Sequence, residues 1–246
     1  MSESAPSPQT PTRRRLLPGG GPGWVLLVSL LAVLLVGGVA LVTRYGVNTA
    51  PGLLFIEARA SGLKLGRYGR LKIEGLHGDL WRDFTVRRLT ISDEKGVWLD
   101  ADNVVLTWRY HELLFRRFHA DRLAAGRVRI LRRPTLTPKT TSRNLPVSVR
   151  IDKARMVVET LPAFSYRPGL FDVVGSLDIV RKGPVHVRLG AGSRLHAGDR
   201  IGLAIDSGKG APLVVIADAE EVEGGAIAGS LGLAADKPFL LKVRAG

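Results

Sequence analysis

Arg70-Leu-Lys-Ile-Glu-Gly-Leu76 decides the fold: Leu71 and Ile73 fall on one side of an extended chain, and Lys72 and Glu74 fall on the other. Successive side chains of a strand point to opposite faces, so this alternation marks a strand with one apolar face. The same pattern recurs in Arg127-Val-Arg-Ile-Leu131, in Pro184-Val-His-Val-Arg-Leu189, and in the set Val147, Val149, Ile151. In Trp81–Ile91 the apolar phase runs Phe84, Val86 and then Leu89, Ile91, which predicts a bulge near Arg87-Arg88. Val97–Trp108 slips similarly, from Val97 and Leu99 to Val104, Leu106 and Trp108. Gly and Pro punctuate the intervals, among them Gly75, Gly96, Gly175, Gly190 and Gly224-Gly225. The expectation is a mainly β protein, a long antiparallel meander with one apolar face.

Only two stretches after residue 44 read as helical. Asn48-Thr49-Ala50-Pro51 offers a cap and an early proline, Leu53, Ile56 and Ala60 share a face, and Gly62 stops the run. The second is a single turn around Tyr110–Arg116. The polar stretch Pro134–Pro146 divides the strands into two groups. An apolar sheet face needs a cover, and too few helices are available to provide it. From periodicity alone a closed sandwich is favoured, while an open sheet covered by lipid chains stays as the alternative.

Ahead of the strands, Trp24-Val-Leu-Leu-Val-Ser-Leu-Leu-Ala-Val-Leu-Leu-Val-Gly-Gly-Val-Ala-Leu-Val-Thr43 holds no charged residue. Twenty or so apolar residues at about 1.5 Å rise cross a hydrocarbon core of about 30 Å, so residues 24–43 are expected to be a transmembrane helix. The h-region of a cleaved signal runs only about 7–15 residues, shorter than this stretch. Residues 1–23, rich in Ser, Pro, Thr and Gly, are expected to be a disordered tail. Arg13, Arg14 and Arg15 lie where positive charge sets orientation, and they place the N-terminus in the cytoplasm. Arg44 on the other side weakens that bias.

Composition narrows the function. The 36 Lys and Arg against 22 Asp and Glu give a formal charge of +14, which suits an acidic partner, nucleic acid or anionic head groups. There is no cysteine, which excludes disulfides, thiolate chemistry and cysteine-based metal sites. His111-Glu112-Leu-Leu-Phe115 begins like a zinc-protease motif, but Phe115 stands where the second histidine belongs. Gly229-Ser230-Leu-Gly232 lacks the glycine a nucleophile elbow needs at position 228, and Gly208-Lys209-Gly210 lacks the spacing of a phosphate loop. Asp218, Glu220, Glu221 and Glu223 read as a solvated acidic turn. No catalytic, metal or cofactor site is expected. The basic and aromatic stretches around Trp81 and Trp108–Phe118 suit bases and phosphates in composition, but a location outside the inner membrane argues against nucleic acid and for a membrane interface.

The order of these features resembles a known group. Thr49-Ala-Pro-Gly-Leu-Leu54 opens a helix after the span, followed by Gly69-Arg-Leu-Lys-Ile-Glu-Gly-Leu-His-Gly-Asp-Leu80 and Phe84-Thr-Val-Arg-Arg-Leu-Thr-Ile-Ser-Asp93. Then come Gly96-Val-Trp-Leu-Asp-Ala-Asp-Asn-Val-Val-Leu-Thr-Trp108, Glu112-Leu-Leu114 and Asp121-Arg-Leu-Ala-Ala-Gly-Arg-Val-Arg-Ile130. The series resembles the N-terminal region of TamB-like proteins, in the AsmA-like group, most closely over residues 24–136. The resemblance implies a single-pass inner-membrane anchor and a periplasmic sheet curved into an open apolar groove filled by phospholipid acyl chains. It also implies a role in outer-membrane protein assembly beside a TamA-like barrel, and the lack of any catalytic constellation in the residues leads us to expect no enzymatic activity and no cofactor. TamB-like chains are several times longer and engage the barrel through a C-terminal region, so that contact maps to no residue of this sequence, which is expected to be a fragment or a short paralogue.

On this expectation residues 44–62 form a short helix and connector, 63–133 a first sheet segment, 134–146 a linker and 147–246 a second sheet segment. The groove side chains are Leu71, Ile73, Phe84, Val86, Val128, Ile130, Val147, Val149, Val185, Val187 and Leu189. The partners are inner-membrane lipids and the acyl chains of phospholipids. A scaffold with a closed sandwich and no lipid is the alternative.

Overall fold

The computed structural model describes residues 22–136, 147–181, 183–208, 212–231, 233 and 236–246. The expected tail with Arg13–Arg15, most of the linker and the Lys209-Gly210 pair lie outside the described residues. Two compact units result, Met1–Thr43 and Arg44–Gly246. In the first, the helix α1 (Pro22–Gly46, 25 residues) begins. Its side chains from Leu31 to Gly38 are all exposed, and none carries a charge. Counting from Leu31, no single helix among the described residues is long and apolar enough to cross a membrane; Leu31–Gly46 reaches that requirement only together with the helix after it.

That next helix, α2 (Ala50–Ala60), forms where the sequence places it. The Thr49 hydroxyl accepts the Gly52 amide at 3.3 Å, proline occupies the first turn, and Gly62 turns away at φ +92. Capping meets an amide that the helix itself leaves unpaired, and proline fits there because its missing N–H is not needed.

Ten strands follow in one sheet whose spatial order is the chain order: β1 (Arg70–Asp79), β2 (Asp83–Asp93), β3 (Gly96–Trp108), β4 (Arg117–Ile130), β5 (Ser148–Thr160), β6 (Gly169–Ile179), β7 (Val185–Ser193), β8 (Arg200–Ser207), β9 (Leu213–Glu221) and β10 (Phe239–Ala245). β1 and β10 are the two edges and do not meet, so the sheet is open. The closed sandwich favoured by periodicity therefore does not form among the described residues. The meander is also not wholly antiparallel, because β4 and β5 pair in parallel, Arg117 opposite Ser148 and Ile130 opposite Thr160. β4 ends at Ile130 and β5 begins at Ser148, a separation in sequence long enough for the crossover that a parallel neighbour requires.

The phase slips have a common cause. At Arg87 the register runs through unbroken, with Val86 opposite Val104 and Arg88 opposite Asp102. No residue is inserted there, which corrects the expected bulge; a register shift lies instead at Ile91/Ser92. Gly75, Arg87, Asn103 and Gly126 form one row across β1–β4, and two of them take positive φ, Gly75 at 70 and Asn103 at 51. Because all four strands switch phase in one row, Ile73 and Leu76 reach the same face although three positions apart. Glycine adopts this conformation freely and asparagine tolerates it.

Two small cores lie on that face. Leu53, Ile56 and Ala60 of α2 pack on Ile73, Leu76 and Val86. At the other edge a helix that the alternation did not announce, α3 (Ala226–Leu231), sets Ile227 against Phe171 and Ala219, with Phe239 and Leu241 beside them. The β1 edge is closed by local bonds: Leu63 accepts the Leu71 amide at 2.9 Å, the Ser61 hydroxyl accepts that of Ile73 at 3.2 Å, and Glu57 accepts that of Leu76 at 2.9 Å. Edge amides left free would recruit another strand.

Candidate functional site

Directly opposed residues of neighbouring strands share a face, so the registers define the apolar surface. One row runs Phe84, Leu106, Leu123, Ala154, Gly175, Leu189, Leu203, Ala217, Val243. Another runs Ala120, Ile151, Leu177, Val187, Ile205, Val215. A third runs Phe118, Val149, Ile179, Val185. Nine strand gaps of about 4.8 Å give the sheet a width of roughly 43 Å. Neither α2 nor α3 reaches the middle, where Leu177, Val187, Leu203, Ile205 and Val215 are only half-buried and Leu189 is exposed. Their shielding comes from lateral neighbours, and none of the described helices lies above them.

The eleven side chains expected to line a groove separate accordingly. Leu71, Ile73, Phe84 and Val86 share the face but belong to the core beneath α2, so protein already covers them. Val128 is buried in the row of Ile73, Leu89 and Ala101, and Ile130 is half-buried in the next row. Val149, Val185, Val187 and Leu189 lie on the uncovered middle. Val147 precedes β5 and has no register partner. Leu203, Ile205 and Val215 complete the open patch; their own alternation, Ile201-x-Leu203-x-Ile205, carries the signal that identifies them.

The opposite face carries the ion pairs, with the exposed apolar side chains of Val174 and Ile216 among them. Arg88 reaches Asp100 at 2.7 Å, and Arg129 bridges Asp100 and Asp102 at 2.8 and 3.0 Å. The Arg88 guanidinium holds the Asp100 carboxyl below the usual carboxylate range, although burial opposes it. Arg194 holds Asp172 low at 2.6 Å, and His186 meets Asp206 at 2.9 Å. These pairs give the outer face to water, and the rows of the middle of the sheet on the other face carry no charged side chain.

One polar cluster lies at the β4–β5 seam. His119 is buried, with its Nδ1 2.7 Å from Glu112 and its Nε2 2.9 Å from Asp152; Asp121 is 3.8 Å from Nε2. Burial acts to lower the His119 pKa, but the bonds to Asp152 and Glu112 outweigh it and raise it. His119, Glu112 and Asp152 line a cavity of about 410 Å³. Ligand atoms of His119, Asp121 and Asp152 lie within 4.8 Å of one another, a spacing that admits a metal ion. Each carboxylate is already engaged, however: Asp121 by Arg109 at 2.8 Å, Asp152 by Arg150 at 2.8 Å and Glu112 by Arg117 at 3.4 Å. The three arginines balance the three acids, so no net negative charge remains to draw a cation. Sequence reading missed the cluster because His119 and Asp152 meet only through the parallel pairing.

The acidic turn also differs from expectation. Asp218 and Glu220 are exposed, and Glu220 pairs with Arg200, but Glu221 is buried and accepts the amides of Ile227 and Ala228 at the start of α3. Ser230 donates to the Ala226 carbonyl at 2.7 Å, as an ordinary helix serine does. Compared with family models, curated proteins and solved structures, the chain matches none.

Proposed function

We propose that this protein is a membrane-anchored carrier of apolar chains, which holds phospholipid acyl groups on the uncovered middle of its sheet and performs no chemistry. More particularly, we read it as TamB-like, an inner-membrane component that supports outer-membrane protein assembly from the periplasmic side. The observation that carries the reading is an apolar face capped by α2 and α3 at its margins and covered by no other described element between them. A contiguous apolar surface that no packed element covers is a candidate site of binding. Acyl chains suit such a face because each buried methylene gains about 0.8 kcal/mol without any need for a polar partner. The uncharged run Trp24–Thr43, helical in α1, supplies the anchor in this reading. The closed-sandwich scaffold has no observation in its favour.

The test places photo-crosslinking residues, one at a time, in the full chain reconstituted in phospholipid vesicles. Val187, Leu189 and Leu203 are expected to capture acyl chains, and the outward-facing Lys72, Arg129 and Arg188 are not. Equal capture on both faces, or none on the apolar one, refutes the carrier.

A further inference from the structure

Between β3 and β4 the chain makes a 3-10 turn, Tyr110–Phe115, and it presents apolar side chains to the outside. Leu114 is 84% exposed and Phe115 77%. Turns are ordinarily polar, so two large bare side chains at a tip call for an occupant. The turn is held firmly: Trp81 packs edge-on against Tyr110 at 4.9 Å, and the Arg116 amide bonds back to the carbonyls of Glu112 and Leu113. Its only acid, Glu112, is turned inward onto His119.

Arg116 carries the second observation. It sits in the left-handed region at φ 56, ψ 37, where glycine would be relaxed and a long side chain is strained. Its guanidinium meets no carboxylate among the described residues. A strained position that keeps an unpaired cation next to two bare apolar side chains has the chemistry of a membrane interface, where apolar groups enter the acyl boundary and arginine meets phosphate.

The place in the fold agrees. Arg44, in the last turn of α1, bonds Asp79 at 2.8 Å, and Asn48 accepts the Leu80 amide at 3.0 Å. The Trp108 indole in turn donates to the Leu80 carbonyl at 2.8 Å, two residues before the turn begins. The tip therefore lies at the sheet end to which Arg44 is fixed.

We propose that Leu114 and Phe115 insert into the surface of an anionic phospholipid bilayer with Arg116 on its head groups, a second membrane contact that holds this end of the sheet against the lipid from which it loads. The proposal rests on the reading of α1 as the anchor.

The chain has no cysteine, so single labels are clean. Phe115→Cys, Leu35→Cys in α1 and Leu240→Cys on β10 each carry an environment-sensitive fluorophore in the full chain, reconstituted in vesicles of phosphatidylethanolamine and phosphatidylglycerol. The label at 115 is expected to be quenched by lipids with a shallow nitroxide and protected from aqueous acrylamide, with the label at 240 behaving oppositely. Replacing phosphatidylglycerol by phosphatidylcholine, or adding Arg116→Glu, is expected to reduce the lipid quenching several-fold. Lipid quenching at 35 with free acrylamide access at 115 overturns the tip and leaves the anchor standing. Acrylamide access at 35 overturns the anchor, and lipid quenching at 115 in that case still supports a surface contact. Protection at 115 from both quenchers means a protein partner covers the turn and overturns the proposal.

Discussion

Leu203→Glu measures directly whether the middle of the sheet is covered. Leu203 lies on β8 between Leu189 of β7 and Ala217 of β9, half-buried by these lateral neighbours. Full burial of a leucine stabilises by about 1.5–3 kcal/mol, so losing a half-buried one costs about 1 kcal/mol. The new carboxylate keeps its water on an open face, and no desolvation penalty is added. Val86→Glu gives the contrast, because Val86 is 4% exposed in the core beneath α2. There the lost burial is joined by an unpaired charge, several kcal/mol more, a loss comparable with the ~5–15 kcal/mol stability of a whole domain. The assay is urea unfolding followed by tryptophan fluorescence, with the full chain in amphipol and no phospholipid added. Leu203→Glu is expected to lower the midpoint slightly and Val86→Glu to abolish cooperative unfolding. Added phospholipid is expected to raise the midpoint of the unaltered chain, which it binds in the folded state, and to leave that of Leu203→Glu unchanged. If Leu203→Glu is as damaging as Val86→Glu, the face has a protein cover and the reasoning fails.

Three further outcomes follow from particular residues. Glu221→Ala removes the acceptor of two amides at the start of α3, and is expected to cost about 1–2 kcal/mol; hydrogen exchange should accelerate at Ile227 and Ala228 and not in β2 or β3. The His119 pKa is raised above its ordinary value of about 6.5, so the folded state binds this proton more tightly than the unfolded one. Its stabilisation is full below about pH 6.5 and is lost as pH rises through the raised pKa; urea midpoints measured across that window should fall for the unaltered chain and stay flat for His119→Asn. Asn103→Gly relaxes a positive φ and is expected to be neutral or stabilising by up to about 1 kcal/mol, whereas Asn103→Val is expected to cost about 1–2 kcal/mol, both read as thermal midpoints.

Much of the site was legible because strand alternation is a local property. Val185, Val187 and Leu189 point one way, and His186 and Arg188 the other, for reasons contained within five residues. The slip at Arg87-Arg88 was legible as an irregularity, but its nature was not. A bulge and a shared row of kinks leave the same trace in a single strand, and only the register with β3 tells them apart.

What the sequence determined by itself was the local grammar: the uncharged run Trp24–Thr43, the capped helix α2 with Leu53, Ile56 and Ala60 on one side, and strands with one apolar face. The tertiary structure alone decided that the ten strands stay in one open sheet, that β5 returns parallel to β4, and that α2 covers Ile73 and Val86 and leaves Val187 and Leu203 bare. The physical reason is the range of the interactions. Alternation and capping are settled between residues a few positions apart, whereas the cover of a face depends on which distant segments pack on it. His119 shows the limit most plainly, since its partner Asp152 lies 33 residues away and meets it only through the parallel seam.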